Sequence, residues 1–310
     1  MRPPDSRIAV GQDSGSFWQI AVKGVRRRLR IRSRLRLVRV SASSFSWSLV
    51  GSILNNRVRA YWWKDTTNFG DLLTPLLLKT YGLTPVLSSP GRSSVVAAGS
   101  ILEVVPEDYS GCIVGSGLMT DVTRRFRNAT VLAVRGELTR QRIGASSSVV
   151  LGDPGLLVSR LLMKRQKKCY LLGVVPHYVD KMNPRVLKIR DRYKRDTLVI
   201  DVERRPLAVL TDIDKCEYIL SSSLHGIVAA DSLGIPNAWV VLSDKVVGKG
   251  FKYYDYYSAL GMRREPLHFS GDESLSGLLK RTRMPPAVTG EVKERLHDVF
   301  RQMREVLGIH

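Results

Sequence analysis

The sequence is short of the residues that build disulfide-rich, zinc-binding and membrane-spanning proteins. Its 310 residues contain three cysteines, Cys112, Cys169 and Cys216, which are far apart and include no CxxC pair. This usage predicts neither a disulfide framework nor a zinc site and is typical of a reducing cytoplasm. No apolar run reaches the ~18 residues that a transmembrane helix needs, and arginines interrupt the segment where a signal peptide would be apolar. We therefore expect a soluble, cytoplasmic protein.

Several catalytic motifs are also missing. There is no GxGxxG dinucleotide fingerprint, because the "GSG" at 115–117 lacks its third glycine, and there is no GxxxxGK[ST] phosphate loop. The HExxH motif and histidine pairs at metal-ligand spacing are absent, so neither a metal nor another cofactor is expected. No GxSxG nucleophile elbow occurs, and acyl-transfer chemistry therefore has no support.

Positive charge is abundant and unevenly distributed. The formal net charge is +21, and in the segment 26–40 arginine alternates with leucine, isoleucine or valine. Four interpretations stay open: a disordered tail, residues upstream of the true translation start, peripheral contact of residues 23–40 with the anionic inner face of the cytoplasmic membrane, or RNA binding. No aromatic residue interleaves the run and no nucleic-acid motif occurs elsewhere, so we expect no specific nucleic-acid partner.

From residue 57 onwards, apolar strands alternate with glycine-rich or polar turns and with helices. This order predicts α/β architecture with doubly wound parallel sheets. The basic stretch "MKRQKKC" (163–169) separates two such runs, which predicts two Rossmann-like domains around a cleft. The expected divisions are a basic, disordered N-terminal segment, two domains, and a linker with a packing helix, over 1–56, 57–165, 166–270 and 271–310. In that last helix the apolar residues share one face, and His297 is expected at the surface.

The candidate site residues all follow predicted strands. Ligands of open α/β sheets collect at the carboxyl ends of the strands, so these residues are expected to line one cleft. They are Asn68, Asp71, Ser100, Gly115, Ser116, Gly117, Arg135, Asp153, His177, Ser222, Ser223, Leu224 and His225.

Each of the charged candidates also has an ordinary structural interpretation. Arg135 either binds a carboxylate or phosphate, or pairs with Glu137 or another local carboxylate. Asp71 is either a helix N-cap or a ligand contact. Asn68 and Asp153 either form turns or contact a substrate.

Two histidines are candidates for proton transfer. His225 lies where a strand turns into a helix, beside backbone N–H groups that favour anions, or it is a buried histidine that bonds a neighbour. His177 follows Pro176 at another strand end and has a weaker setting.

The order of the motifs resembles that of polysaccharide pyruvyltransferases. The matching segments lie between residues 57 and 262 and read "NFGDLLTP", "AAGSIL", "GCIVGSG", "AVRGELTR", "VLGDPGLL", "VVPHYVD", "SSSLHGIVAADSLGIP" and "FKYYDYYSALG". The resemblance implies a glycosyltransferase-B-like fold. It also implies phosphoenolpyruvate as the donor substrate and a sugar of a polysaccharide or lipid-linked repeat unit as the acceptor.

The same resemblance implies roles for individual residues. His225 of the "LH" motif and Arg135 of the "VRG" turn would be catalytic. We expect Ser222, Ser223, Leu224 and 115–117 to bind the donor, and a further group to bind the acceptor or support the site: Asn68, Asp71, Ser100, Asp153 and His177. Many members carry an arginine directly before "LH", where this chain has Ser223. Phosphate binding would then depend on backbone N–H groups and on another basic residue.

The implied reaction adds two sugar hydroxyls to the central carbon of phosphoenolpyruvate, with release of phosphate and formation of a pyruvate ketal. His225 would transfer the proton and Arg135 would stabilise the shifting charge. Two alternatives stay open because fold alone does not fix function. One is a nucleotide-sugar glycosyltransferase, for which Asp231, deep in a helix, is the sole acidic candidate in the "LHGIVAADSLGIP" segment. The other is a non-catalytic sugar- or anion-binding module.

Overall fold

Short runs of β-branched and apolar residues form the strands of two parallel sheets. The computed structural model describes residues 56–65 and 67–309, and the predicted basic segment lies outside this range except for Asn56. The described residues form one compact unit. The prediction of an α/β fold with two parallel sheets is thereby confirmed.

The first sheet has six strands in the order β2-β1-β3-β4-β5-β6, all parallel. Proline lacks an N–H group and is tolerated in a strand at a sheet edge, which is where Pro85 lies. The strands are β1 (Arg57–Tyr61), β2 (Thr84–Leu87), β3 (Val95–Val96), β4 (Cys112–Val114), β5 (Thr130–Val134) and β6 (Val150–Leu151), and the helices are α1 (Leu73–Thr80) and α2 (Glu137–Ile143).

The second sheet has five parallel strands in the order β11-β10-β9-β7-β8. Its strands are β7 (Tyr170–Val175), β8 (Thr197–Val199), β9 (Cys216–Ser221), β10 (Asn237–Val241) and β11 (Leu267–His268). The helices are α3 (Pro184–Arg192), α4 (Pro206–Asp214), α5 (Leu224–Ser232) and α6 (Phe251–Ala259), followed by α7 (Leu275–Leu279) and α8 (Val288–Val306).

In each sheet, successive strands are added first on one side of the initial strand and then on the other, so the strand order reverses at one point. In the first sheet the reversal lies between β1 and β3, and in the second it lies between β7 and β9. At such a switch point the connecting segments leave on opposite faces of the sheet and open a crevice beyond the carboxyl ends of the strands. The topology therefore provides two crevices for ligands.

One apolar core extends over both sheets. Val58 and Leu73 of the first half share it with Ile219 and Val228 of the second. The last helix, α8, contributes a buried face made of Val292, Leu296, Val299, Phe300 and Met303, as its periodicity predicts. Each sheet lies on its own side of the predicted division at 165/166, which stays a prediction.

His297 is not a surface residue, contrary to expectation. It is half-buried on α8, and its Nδ1 lies 2.8 Å from the hydroxyl oxygen of Tyr81. Tyr81 also stacks on Phe300 and so fixes the contact. In the part of the chain described here, no helix combines the length and the apolar character that a bilayer crossing requires.

Candidate active site

The loops beyond the two switch points meet at a single place. Gly70, from the loop after β1, lies directly against the imidazole of His225, which follows β9: a β-carbon on Gly70 would fall 1.9 Å from Nδ1. Asp71 lies beside the loop after β3, with Oδ1 3.7 Å from the position of a β-carbon on Gly99. The strand-end residues of both halves therefore contribute to one site.

His225 occupies the first turn of α5, with 7% of its surface exposed. Its Nε2 lies 3.7 Å from Oδ2 of Asp153, beyond hydrogen-bonding distance, and neither atom has a hydrogen-bond partner among the described residues. Burial lowers the pKa of His225, and the nearby cations Arg135 and Lys252 add to this, while Asp153 opposes it. The ring is therefore neutral at pH 7 and faces an unpartnered carboxylate oxygen.

Asp153 serves as both a turn former and a neighbour of the histidine. Its Oδ1 accepts a hydrogen bond from the backbone N–H of Gly155 at 2.8 Å and so caps the 3-10 helix Pro154–Leu161. That bond fixes the carboxyl group, because the side chain is fully buried. The second oxygen is thereby held towards His225.

Asp71 is not the N-cap of α1, because the capping position is Leu72. Its Oδ2 accepts a hydrogen bond from the side-chain amide of Asn68 at 3.1 Å, and Asn68 Oδ1 accepts one from the backbone N–H of Gly70. Burial raises the pKa of Asp71 to about 7, against the lowering effects of Asn68 and Lys252. The carboxyl group thus titrates near neutral pH, as a general acid or base requires.

Lys252, in the first turn of α6, completes the site. It is 6% exposed, and no hydrogen bond or ion pair of its ammonium group occurs within the described residues. Its Nζ lies 5.6 Å from the centre of the Tyr253 ring. Burial lowers its pKa to about 8, assisted by repulsion from Arg135 and opposed by Asp71. An unpaired cation in this setting favours an anionic ligand.

Arg135 is fully buried, unlike the expected side chain that points into a cleft. Its Nε donates a hydrogen bond to Asp255 Oδ2 at 2.8 Å, and its two terminal nitrogens donate to Ser100 Oγ and to the carbonyl of Leu118. The alternative partner Glu137 pairs with Arg140 instead. Arg135 therefore holds α6 against the first sheet, and its contact with a substrate stays a prediction.

The segment 115–117 has packing contacts of its own. Gly115 lies against Pro154, and the Ser116 hydroxyl donates to the carbonyl of Gly99. A β-carbon on Gly117 would lie 2.4 Å from Cζ of Arg135. These packing contacts alone explain why the three residues are small, and donor binding by them stays a prediction.

His177 and Ser222 join the ends of β7 and β9. The backbone N–H of His177 donates to Ser222 Oγ at 2.9 Å, and Ser222 Oγ donates to Asp180 Oδ2 at 3.1 Å. Burial is the main cause that lowers the pKa of His177 to about 3, and repulsion from Lys252 and from a protonated His225 contributes to the same shift. His177 is therefore a neutral hydrogen-bonding group at pH 7, and Ser222 is occupied by its protein partners.

The described residues contain no group of three or more His, Cys, Asp or Glu side chains that could hold a metal ion.

Residues 48–244, more than half of the chain, match the family described as "Polysaccharide pyruvyl transferase". The chain belongs to this family.

Two proteins show the range of relatives. The "Succinoglycan biosynthesis protein ExoV" of Rhizobium meliloti (strain 1021) is 25% identical over 228 residues, which cover 70% of each chain. The "Uncharacterized protein L143" of Acanthamoeba polyphaga mimivirus is 36% identical over 163 residues, which cover 49% of this chain. The match spans 56% of the length of the mimivirus protein.

Within this polysaccharide pyruvyl transferase fold, Ser223 and Leu224 form the entry to α5. The backbone N–H of Ser223 donates to Ser221 Oγ, and the Ser223 hydroxyl has no hydrogen-bond partner among the residues described. Leu224 is buried in the core. The "FKYYDYY" segment contains Lys252, a cation that was not among the predicted site residues. In this segment Lys252 and Asp255 are the two charged residues among aromatic side chains, and this pattern could have identified Lys252.

Proposed function

We propose that this protein transfers the enolpyruvyl group of phosphoenolpyruvate to two hydroxyls of one sugar, with formation of a pyruvate ketal and release of phosphate. The acceptor would be a sugar of an exopolysaccharide or lipid-linked repeat unit, held between two Rossmann-like halves in a glycosyltransferase-B-like arrangement. The observation that carries the proposal is the buried, unpaired Lys252 beside His225 and Asp71. Family membership supports it, as does the printed name of ExoV.

Lys252 supplies the positive charge for the donor. Phosphoenolpyruvate carries a phosphate and a carboxylate, and each needs a cation or several N–H groups. Ser223 cannot provide the charge of an arginine, whereas Lys252 is held nearby with no partner among the described residues. The first-turn N–H groups of α5 add the positive end of a helix dipole. The donor anion therefore binds between α5 and α6.

His225 and Asp71 transfer the protons in this proposal. Protonation of the methylene carbon by the protonated form of Asp71 makes the central carbon electrophilic, and a sugar hydroxyl then adds to it while the neutral imidazole of His225 accepts the hydroxyl proton. The bond between this carbon and the phosphate oxygen breaks, the second hydroxyl adds to the same carbon, and its proton goes to the departing phosphate, while the proton taken up by His225 restores Asp71. One diol and one phosphoenolpyruvate thus give one ketal and one phosphate. Asp153 positions the imidazole through its Oδ2.

The test measures phosphate release from phosphoenolpyruvate with a panel of lipid-linked and small glycoside acceptors. His225→Ala is expected to lower acceptor-dependent release by about 10²–10⁴-fold while donor binding is partly retained. His268→Ala removes an exposed histidine of β11 and serves as the matched control. Binding of phosphoenolpyruvate without turnover in the wild type, unchanged in His225→Ala, would indicate a binding module.

The nucleotide-sugar alternative lacks a free acidic group at the expected place. Asp231 is buried, and its two oxygens accept hydrogen bonds from Tyr256 and Asn237. Binding of a nucleotide sugar in place of phosphoenolpyruvate, measured by calorimetry, would favour this alternative.

A further inference from the structure

The amino-terminal edge of the second sheet, opposite the candidate site, is strongly basic. Five segments meet there: 163–168 before β7, 194–196 before β8, 215–217 around the start of β9, 263–265 before β11, and 280–284 after α7. They contain twelve lysines and arginines and three acids. We name this surface the basic edge. We propose that the basic edge docks on a bilayer that contains anionic phospholipids.

Hydrogen bonds join the segments around the turn 234–236 that leads into β10. Arg165 donates to the carbonyl of Leu233 at 2.9 Å on one side of this turn. On the other side, the backbone N–H of Arg283 donates to the carbonyl of Asn237, also at 2.9 Å. Arg264 donates to the carbonyl of Met284 at 2.8 Å. Three of the five segments, 163–168, 263–265 and 280–284, are therefore joined around this turn.

Many of the charges on this surface are free to meet an external partner. Five exposed lysine and arginine side chains form no hydrogen bond or ion pair with any residue of the described ranges: Lys164, Lys167, Lys194, Arg195 and Arg281. Asp214, which directly precedes the segment 215–217, is buried and paired with Arg165. The exposed acids Asp196, Glu217 and Glu265 are fewer than the free cations. The basic edge therefore complements an anionic surface.

Two apolar side chains distinguish a lipid surface from a nucleic acid. Met163 is fully exposed and Met284 is 60% exposed, and each lies beside lysines or arginines in the sequence. Apolar tips among basic residues suit the boundary between lipid headgroups and acyl chains. Single-stranded nucleic acids are held by exposed aromatic rings, and the large exposed hydrophobic residues of this edge include none. The proposal does not depend on the proposed reaction.

The test is vesicle co-sedimentation of the full chain with phosphatidylcholine vesicles, with and without about one third phosphatidylglycerol. The variant Lys164→Glu/Lys167→Glu/Arg281→Glu is expected to bind the anionic vesicles about tenfold more weakly or worse than wild type. Because residues 23–40 are basic too, the control reverses three exposed charges elsewhere, Arg92→Glu/Arg127→Glu/Arg301→Glu, and is expected to stay within about twofold of wild type. Equal loss in the two variants would overturn the proposal.

A second variant tests the apolar contribution. Met163→Ser/Met284→Ser is expected to weaken vesicle binding several-fold and to leave retention of a poly-U oligonucleotide unchanged. If the charge variant lost oligonucleotide binding but retained vesicle binding, the surface would be a nucleic-acid site and the proposal would fail.

Discussion

The imidazole of His225 rests on the α-carbon of Gly70, so close that a methyl group there would lie 1.9 Å from Nδ1. The two residues are 155 positions apart and follow strands of different sheets. The contact makes the "NFGD" and "LH" motifs one structural unit. It also explains why a glycine stands at position 70, since any larger residue would displace the ring.

Gly70→Ala is expected to lower acceptor-dependent turnover by about 10²-fold or more, because the added methyl group moves the proton-transferring ring. Gly290→Ala, where a β-carbon would meet nothing within 4 Å, is the matched control. Steady-state kinetics and thermal unfolding of both variants decide the question; a fully active Gly70→Ala would contradict the proposed role of His225.

Lys252→Met is expected to weaken phosphoenolpyruvate binding by about 10–100-fold, because a charged hydrogen bond to the donor is lost. The pKa of Lys252 is about 8, so the ammonium charge is fully present below that pH and is lost above it. Donor affinity should therefore fall as pH rises through about 8. Lys252→Arg should keep its affinity there, because arginine stays protonated.

Calorimetry with phosphoenolpyruvate at about pH 7 and about pH 9 measures both effects. The exposed neighbour Lys249→Met is the control and should bind like wild type. Equal affinities of Lys252→Met and wild type would remove Lys252 from the donor site.

Asp71→Asn is expected to stabilise the protein at high pH. The pKa of Asp71 is raised to about 7 from its ordinary value of 3.8, so folding disfavours the ionised form. This cost is absent below pH 3.8 and grows as pH rises to about 7. At about pH 8.5 the amide avoids this cost, which a shift of about three pKa units limits to about 4 kcal/mol. Solvent screening of the half-buried side chain reduces the expected gain to about 1–2 kcal/mol, with a Tm higher by roughly 3–6 °C.

Thermal scans of Asp71→Asn between about pH 4 and pH 8.5 should show the difference from wild type disappear towards acid pH. Asp244→Asn, an exposed carboxylate, should show no such trend. A constant difference across the range would mean that Asp71 titrates normally.

The Arg135–Asp255 pair should be far more important for stability than an exposed ion pair. Both side chains are fully buried, and Asp255 also accepts hydrogen bonds from the backbone and hydroxyl of Thr139. Arg135→Met leaves a buried carboxylate uncompensated and is expected to cost about 3–5 kcal/mol of unfolding free energy. Arg142→Met breaks the exposed pair with Asp121 and should cost less than about 1 kcal/mol. Urea denaturation measures both.

Much of the fold followed from the sequence because parallel strands are short, apolar and bounded by turns. The strands around His225 and the helix between them were predictable from Ile219, the serine cluster and Gly234. The edge strand β2 was missed because Pro85 interrupts its pattern. His297 was misplaced because periodicity shows which face of α8 is apolar, but not that Tyr81 covers its border.

The candidate site was predictable as a set of strand ends, but not as a set of contacts. Because Asp71, His177 and His225 each follow a strand, the sequence predicts that they lie at the carboxyl ends of the strands. It does not predict which of them are in contact. Nothing in the sequence near Arg135 reveals that its carboxylate partner is 120 residues away. Lys252 was not predicted because it lies at the start of a helix after a glycine loop, whereas the predicted site residues follow strands.

Bonds join the two halves on both sides of the candidate site. The backbone N–H of Phe69 donates to the carbonyl of Val202 at 2.7 Å on one side, and Arg135 is locked to Asp255 on the other. Gly136 lies so close to the backbone of Asp255 that a β-carbon would fall 1.7 Å from its carbonyl oxygen. Enzymes that close on a substrate need halves that can move relative to each other. Here bonds and close contacts hold the halves together on both sides of the candidate site, so we expect the proposed site residues to keep their relative positions when a substrate binds.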